Sequence, residues 1–371
     1  MLSNEKYLPF FIFYLNLSYE LVVLYTRFIQ TINLFQMATL TTKHMGVTLK
    51  NPLILGACNL SNNLDKLLEA EKAGVSAIVY RSLFEEQIQL ETNDLSNELE
   101  AYDERNAEMI SLFPKIEHGG PKEHLYNLKQ VVDALSIPVF ASLNAVYKES
   151  WVEYAKLLEA TGVAGLELNF FSVPRDFEKS GHDVILEQIE NLKAVKAAVK
   201  IPVSVKLSPF YTNVLKTIKD MDDAGADAFI LFNRLFEPDI DVEAERHVSP
   251  WNLSTHSDHR LSLRYIGLTY GNLNASVAAN NGIYEGIDMV KMILAGASAV
   301  EAVSTFYHNG VGHAAEMLKE LEEWMDRKGY ASIEAFRGTL SNKAINDPFV
   351  YKRAHYIDLL LKSEEHFNAV I

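Results

Sequence analysis

The stretch GLELNFFSVPRDFE (residues 165–178) ends a short apolar run in Asn169 and places Ser172 three residues later, just before a Val-Pro break. The run PVSVKL (202–207) carries Lys206 near its end. An amine pointing inward from an apolar strand must find a partner, because a buried unpaired charge is strongly unfavourable. So placed, it can stabilise negative charge developing on a bound ring, such as the N1–O2 edge of a reduced flavin. The alternative is a lysine that snorkels to solvent.

Other short apolar runs end in comparable groups: Ala57 with Cys58, then Arg81, Asn144, Asn233, Asn280 with Asn281, and Ser304. An asparagine side chain both donates and accepts, which suits a flat heterocycle with alternating N–H and C=O edges. Taken singly, each asparagine serves equally well as a turn cap. Gly282 and Ser304, in SVAANNGIYEG and AVEAVSTF, stand where loop N–H groups can meet a phosphate, although Gly282 also suits an ordinary turn.

Something must bring these run ends together. The runs are PLILGA (52–57), SAIVYR (76–81), PVFASLN (138–144), GLELN (165–169), PVSVKL (202–207), AFILFN (228–233), ASVAAN (275–280) and AVEAVS (299–304). They alternate with amphipathic stretches such as NNLDKLLEAEKAG and SWVEYAKLLEATG, the pattern of βα units on a parallel sheet. Four of them follow near-identical glycine turns, KAGVSA, ATGVAG, DAGADA and AGASAV. Eight such units predict a (β/α)8 TIM barrel, an α/β fold whose active site lies at the C-terminal strand ends. A doubly wound open sheet is disfavoured because LGACNLSNN, after the first run, lacks the GxGxxG turn.

With 371 residues and 48% hydrophobic content, the chain can bury a large core. A formal charge of −15, with no long basic run, argues against nucleic acid as a partner and fits a soluble cytoplasmic enzyme, whose expected partner is a small-molecule substrate. The single cysteine, Cys58, excludes an intramolecular disulfide and an iron–sulfur cluster held within the chain, and suggests a reducing, cytoplasmic setting. The histidines 182, 256, 259, 308 and 313 have no metal-ligand spacing, so no metal is expected. Residues 1–36 are rich in aromatic and aliphatic groups, but Lys6 and Glu20 leave only 7–19 uncharged, short of the roughly 20 apolar residues of a transmembrane span. They are read as an N-terminal extension outside the functional fold, an interfacial helix being the alternative, with the barrel and C-terminal helices occupying 37–371.

From about Lys50 to Gly338 the chain resembles the dihydroorotate dehydrogenases. The resemblance rests on LKNPLILGAC, VKLSP with Lys206, NNGIYEGIDMVKMILAGAS and ELEEWMDRKGYASIEAFRG, in family order. It implies an FMN-dependent oxidoreductase acting on a CH–CH group, converting dihydroorotate to orotate in pyrimidine biosynthesis. LNFFS resembles the family's substrate-binding segment, which implies Asn169 on substrate and flavin and Ser172 as catalytic base. Lys206 would contact the isoalloxazine, with Ala57, Arg81, Asn144, Asn281, Gly282 and Ser304 holding the cofactor and Asn233 the substrate. Serine at the base position is typical of the membrane-associated class, while the rest is closer to the cytosolic class, which implies a homodimer.

The chain also departs from the family. Arg81 replaces a flavin-contacting lysine, Val173 separates Ser172 from Pro174, and EMISLFPKIEHGGPKEHL has no counterpart of a further substrate asparagine. Arg234 follows Asn233 where Ser or Thr is usual, and STHSD (254–258) replaces a glycine turn near the flavin phosphate. These departures leave two alternatives open: an FMN oxidoreductase acting on a different planar ring, with Arg81, Arg175 or Arg234 clamping an anion, or a barrel without catalysis that acts as a binding protein.

Overall fold

The computed structural model describes residues 38–89, 120–171, 177–234 and 237–363. The extension at 1–36, and Ser172 with Val173, Pro174, Arg175 and Asp176, lie outside the described residues.

A short antiparallel hairpin, β1 (Thr42–His44) and β2 (Val47–Leu49), precedes the barrel. The barrel strands are β3 (Leu53–Leu55), β4 (Ala77–Phe84), β5 (Val139–Asn144), β6 (Gly165–Phe170), β7 (Val203–Leu207), β8 (Ala228–Leu231), then β11 (Ser276–Ala279) and β12 (Ala299–Ala302). They close in the order β11-β12-β3-β4-β5-β6-β7-β8, all parallel. These eight strands coincide with the eight runs read in the sequence. The pair β9 (Asp239–Asp241) and β10 (Arg246–Val248) forms an antiparallel excursion after β8 that periodicity did not reveal.

Helices α1 (Leu64–Lys72), α2 (Pro121–Ala134), α3 (Lys148–Ala160), α4 (Gly181–Ala198), α5 (Val214–Asp223), α6 (His259–Thr269) and α7 (Gly286–Ala295) lie between successive barrel strands. Their starts follow local chemistry. Asn63 accepts from Lys66 N ahead of α1, and Ser180 with Asp183 forms a reciprocal capping box ahead of α4. Their ends need left-handed turns, as at Gly162 (φ 90°) and Gly225 (φ 98°) in the repeated motifs. After β12 come α8 (Ser304–Asn309) and α9 (Ala314–Lys328), which packs against α7, and the described chain ends in α10 (Arg353–Leu361).

Strands buried on both faces divide their side chains between two cores. Outward-facing Leu55, Ile78, Leu143, Leu166, Val205 and Phe229 join the helices in the larger one. Inward-facing Ile54, Val79, Phe140, Ala228, Ile230, Ala278 and Ala299 fill the lower lumen, which Met45 and Leu49 of the hairpin plug from below. Above this apolar layer the lumen becomes polar, and the site begins there.

A candidate active site at the barrel mouth

Parallel registers set the site. Asn169 of β6 lies level with Lys206 of β7, and Lys206 with Ile230 of β8. Lys206 is 5% exposed, and its side chain does not snorkel. Its Nζ stands 2.9 Å from Glu301 Oε2 of β12, across the lumen, and 3.4 Å from Glu167 Oε1 of β6. Burial opposes its charge, but the two carboxylates prevail and raise its pKa above the ordinary lysine value. Burial, and then the neighbouring Glu301 charge, push the Glu167 carboxyl well above the ordinary range, against the pull of Lys206. Lys206 has three N–H donors and two protein partners, which leaves one donor for a ligand.

A cavity of about 430 Å³ opens above this ion cluster, within the size range of small-molecule sites. Of the residues singled out in the sequence, Ala57, Arg81, Asn169, Lys206, Asn233, Asn281, Gly282 and Ser304 line it. Asn144 stands behind the lining, where its Nδ2 donates to the Asn169 carbonyl at 2.8 Å. Asn233 Nδ2 donates to Asn169 Oδ1 at 2.6 Å, so the two amides form one unit with Asn169 Nδ2 and Asn233 Oδ1 left for a ligand. Asn281 Nδ2 is engaged by the Phe232 carbonyl at 2.8 Å.

Arg81 is not at a strand tip as its run suggested. β4 continues to Phe84, and its register with β5 shifts between Tyr80 and Leu83, a bulge that re-aims the side chain into the cavity. Its Nε is buried with no partner. Arg234 also lines the cavity, but its guanidinium is already committed. It donates to Asp258 Oδ2 at 2.8 Å, Asn252 Oδ1 at 2.8 Å, and the carbonyls of Asn252 and Leu253 at 3.3 Å. Its work is to hold the 252–258 loop, which removes it as a free anion clamp.

The Gly282–Ser304 end of the cavity is not an open glycine cradle. Gly282 N–H donates to Ser254 Oγ at 3.1 Å, and Ser254 Oγ donates to Ser304 Oγ at 2.7 Å. Gly282 has φ 67°, and a Cβ there would stand 2.5 Å from His259 N and 2.8 Å from Thr255 O. Glycine is therefore required by its packing on the 255–259 turn. That end of the cavity presents serine hydroxyls in place of open backbone donors.

Glu167, Glu301, Trp251 and Tyr307 were not singled out in the sequence, and Ser254 entered only within the STHSD stretch. An acid inside an apolar strand, as in GLELN and AVEAVS, is the signal that could have found the first two. Cys58 also lines the cavity, but burial pushes its thiol up to about 11, which leaves it an unreactive thiol. Phe84, Phe171 and Trp251, all substantially exposed, form an apolar rim.

The residues fit a flavin ring on two observations: Lys206 has an unused donor, and it shares the cavity lining with Arg81 and with the Asn169–Asn233 amide pair. A closed parallel barrel with cationic donors, amides and a buried ion cluster at its C-terminal mouth has the form of a (β/α)8 barrel enzyme site. Residues 39–325 match the dihydroorotate dehydrogenase family, and the chain belongs to it. It is 26% identical over 288 residues to the dihydroorotate dehydrogenase B (NAD(+)) catalytic subunit of Methanocaldococcus jannaschii, covering 73% of this chain and 88% of that one. It is likewise 26% identical over 310 residues to the same subunit of Thermoplasma volcanium, with 81% and 98% covered. The putative dihydroorotate dehydrogenase A (fumarate) of Aeropyrum pernix is 29% identical over 225 residues, with 59% and 72% covered. Among the described residues no helix is long and apolar enough to cross a membrane.

Proposed function

We propose that this chain is an FMN-dependent oxidoreductase that oxidises dihydroorotate to orotate, with the isoalloxazine seated over Lys206. One observation carries the reading: in a member of this family, Lys206 enters the floor of the mouth cavity with a donor to spare, facing the Asn169–Asn233 amide pair. When bound, FMN supplies the hydride acceptor. The chain's residues do the rest. Lys206 and Arg81 donate to the acceptor-rich edge of the ring, while Ala57, Asn281, Gly282 and Ser304 border the cofactor. Asn144 acts on it indirectly, by fixing Asn169.

Asn169 and Asn233 orient the substrate through their free amide groups. Ser172, three residues beyond Asn169, takes the substrate proton. A serine is a poor base near neutral pH, so it needs a water or polar neighbour to relay that proton. The resemblance to the cytosolic class supports a cytoplasmic homodimer.

A second reading, an FMN oxidoreductase for another planar ring, is favoured by the 2.6 Å bond between Asn169 and Asn233, which removes two of their groups from substrate recognition. Anaerobic mixing of the purified protein with dihydroorotate, followed by flavin absorbance, separates the two. Bleaching that is lost in Lys206→Ala and slowed in Ser172→Ala supports the first reading. A yellow protein that dihydroorotate does not bleach supports the second. A colourless protein that cannot take up FMN refutes both and leaves a binding protein.

A further inference from the structure

Two carboxylates and one amine are enclosed at the cavity floor. Glu167, Lys206 and Glu301 are 1%, 5% and 2% exposed. Both acids reach the same Nζ, from β6 on one side and β12 across the lumen. Among the described residues neither carboxylate meets a second cation. The titratable groups turned towards the pair are Lys206 of β7, His44 of β1 and, beyond Lys206, Cys58 after β3. His44 cannot supply the missing charge, since its ring is buried and its Nδ1 is engaged with Ser298 Oγ at 2.9 Å. With every group in its ordinary ionic form, the enclosure carries one uncompensated negative charge. A buried charge in that position is relieved by binding a proton.

We propose that Glu167 and Glu301 hold one proton between them at neutral pH, making the barrel floor a neutral proton store, and that Glu301 exchanges this proton with a ring bound against Lys206. Glu301 and Lys206 line the cavity while Glu167 lies behind them, which gives each acid a distinct place. When negative charge develops on the ring, the carboxyl O–H bond breaks and leaves its electron pair on the carboxylate. A new N–H or O–H bond forms on the ring. The transfer is charge-neutral overall and needs no oxidant or co-reactant. Glu301 is therefore a catalytic residue, and Glu167 the positioning residue that keeps it supplied. The exchange rests on the flavin reading above, but the store does not.

The test counts protonated carboxylic acids by infrared difference spectroscopy at pH 7, with ¹³C-labelled glutamate to assign the carbonyl band. The wild type should show one such band. Glu167→Gln and Glu301→Gln should each show none, because the remaining acid and Lys206 then balance. Lys206→Met should show two. No band in the wild type, or a band that survives in Glu301→Gln, would overturn the store. The wild-type spectrum decides this even if a variant fails to fold.

With FMN as the probe ligand, dithionite reduction should weaken the wild-type band and leave the Glu301→Gln spectrum unchanged in that region. A wild-type band indifferent to reduction would overturn the exchange while sparing the store. Failure to take up FMN would overturn the exchange together with the flavin reading, and the band count would still decide the store.

Discussion

Two buried imidazoles make the stability of this barrel unusually sensitive to mild acid. His44, at the lower end of the lumen, has its pKa lowered to about 4 by burial, partly offset by the Glu301 charge. His124, on α2, is lowered to about 3, again by burial and then by the neighbouring Arg81. Both folded values lie below the roughly 6.5 of an unfolded histidine. At these two sites the unfolded chain therefore binds more protons than the folded one between about pH 7 and pH 4, and their contribution to stability falls as pH falls through that window. Between pH 7 and pH 5 each histidine should cost about 2 kcal/mol, or about 4 kcal/mol together. That is a large share of the 5–15 kcal/mol typical of a domain. The ring of His124 packs edge-on to Tyr80 at 5.1 Å, and neither of its nitrogens has a hydrogen-bond partner. His124→Phe should keep the packing and remove the protonation site. Urea unfolding at pH 7 and pH 5 should show the variant losing about 2 kcal/mol less than the wild type over that interval, a difference that isolates His124 from the other titrating groups. Equal losses in both, or an NMR titration placing folded His124 near pH 6.5, would refute the reasoning.

Other variants probe other parts of the site. Lys206→Met strips the two buried acids of their cation and should cost about 3–5 kcal/mol at pH 7 by urea unfolding, with the loss shrinking as pH falls because the folded variant holds protons that the unfolded chain binds only at lower pH. Gly282→Ala should cost about 2–3 kcal/mol, because it combines a left-handed backbone with a Cβ pressed 2.5 Å from His259 N. Arg234→Ala should free the 252–258 loop and speed its cleavage in limited proteolysis. Arg234→Lys should rescue it poorly, because one ammonium cannot reproduce the forked contacts.

The architecture was legible because barrel strands buried on both faces write themselves as unbroken apolar runs, and the repeated glycine turns mark where each helix stops. The site was legible only in part. Residues at the ends of strands converge by topology alone, which is why Lys206, Asn169 and Asn233 could be placed together. Arg81 was placed near the mouth without the β4 bulge that aims it, since a register shift leaves no compositional trace. The pairing of Glu301 with Lys206 joins residues 95 apart across a lumen, a contact that no local pattern encodes. Arg234 and Gly282 looked like ligand groups because their types suit anions. The loop each one holds had no readable signature.

These assignments change how the cavity selects its ligand. A bare lysine on the floor would attract any anion small enough to enter, and its field would add to that of Arg81. With the two acids against the amine and one proton held between them, as proposed above, that field is largely cancelled over the few ångströms that separate the three groups. What remains is directional: one unused N–H on Lys206 and the free amide edges of Asn169 and Asn233. Directional donors at the cavity floor reject a ligand lacking the matching acceptors, because each missing partner leaves a buried polar group unpaired. The floor therefore discriminates chiefly by the pattern of acceptors on a flat ring.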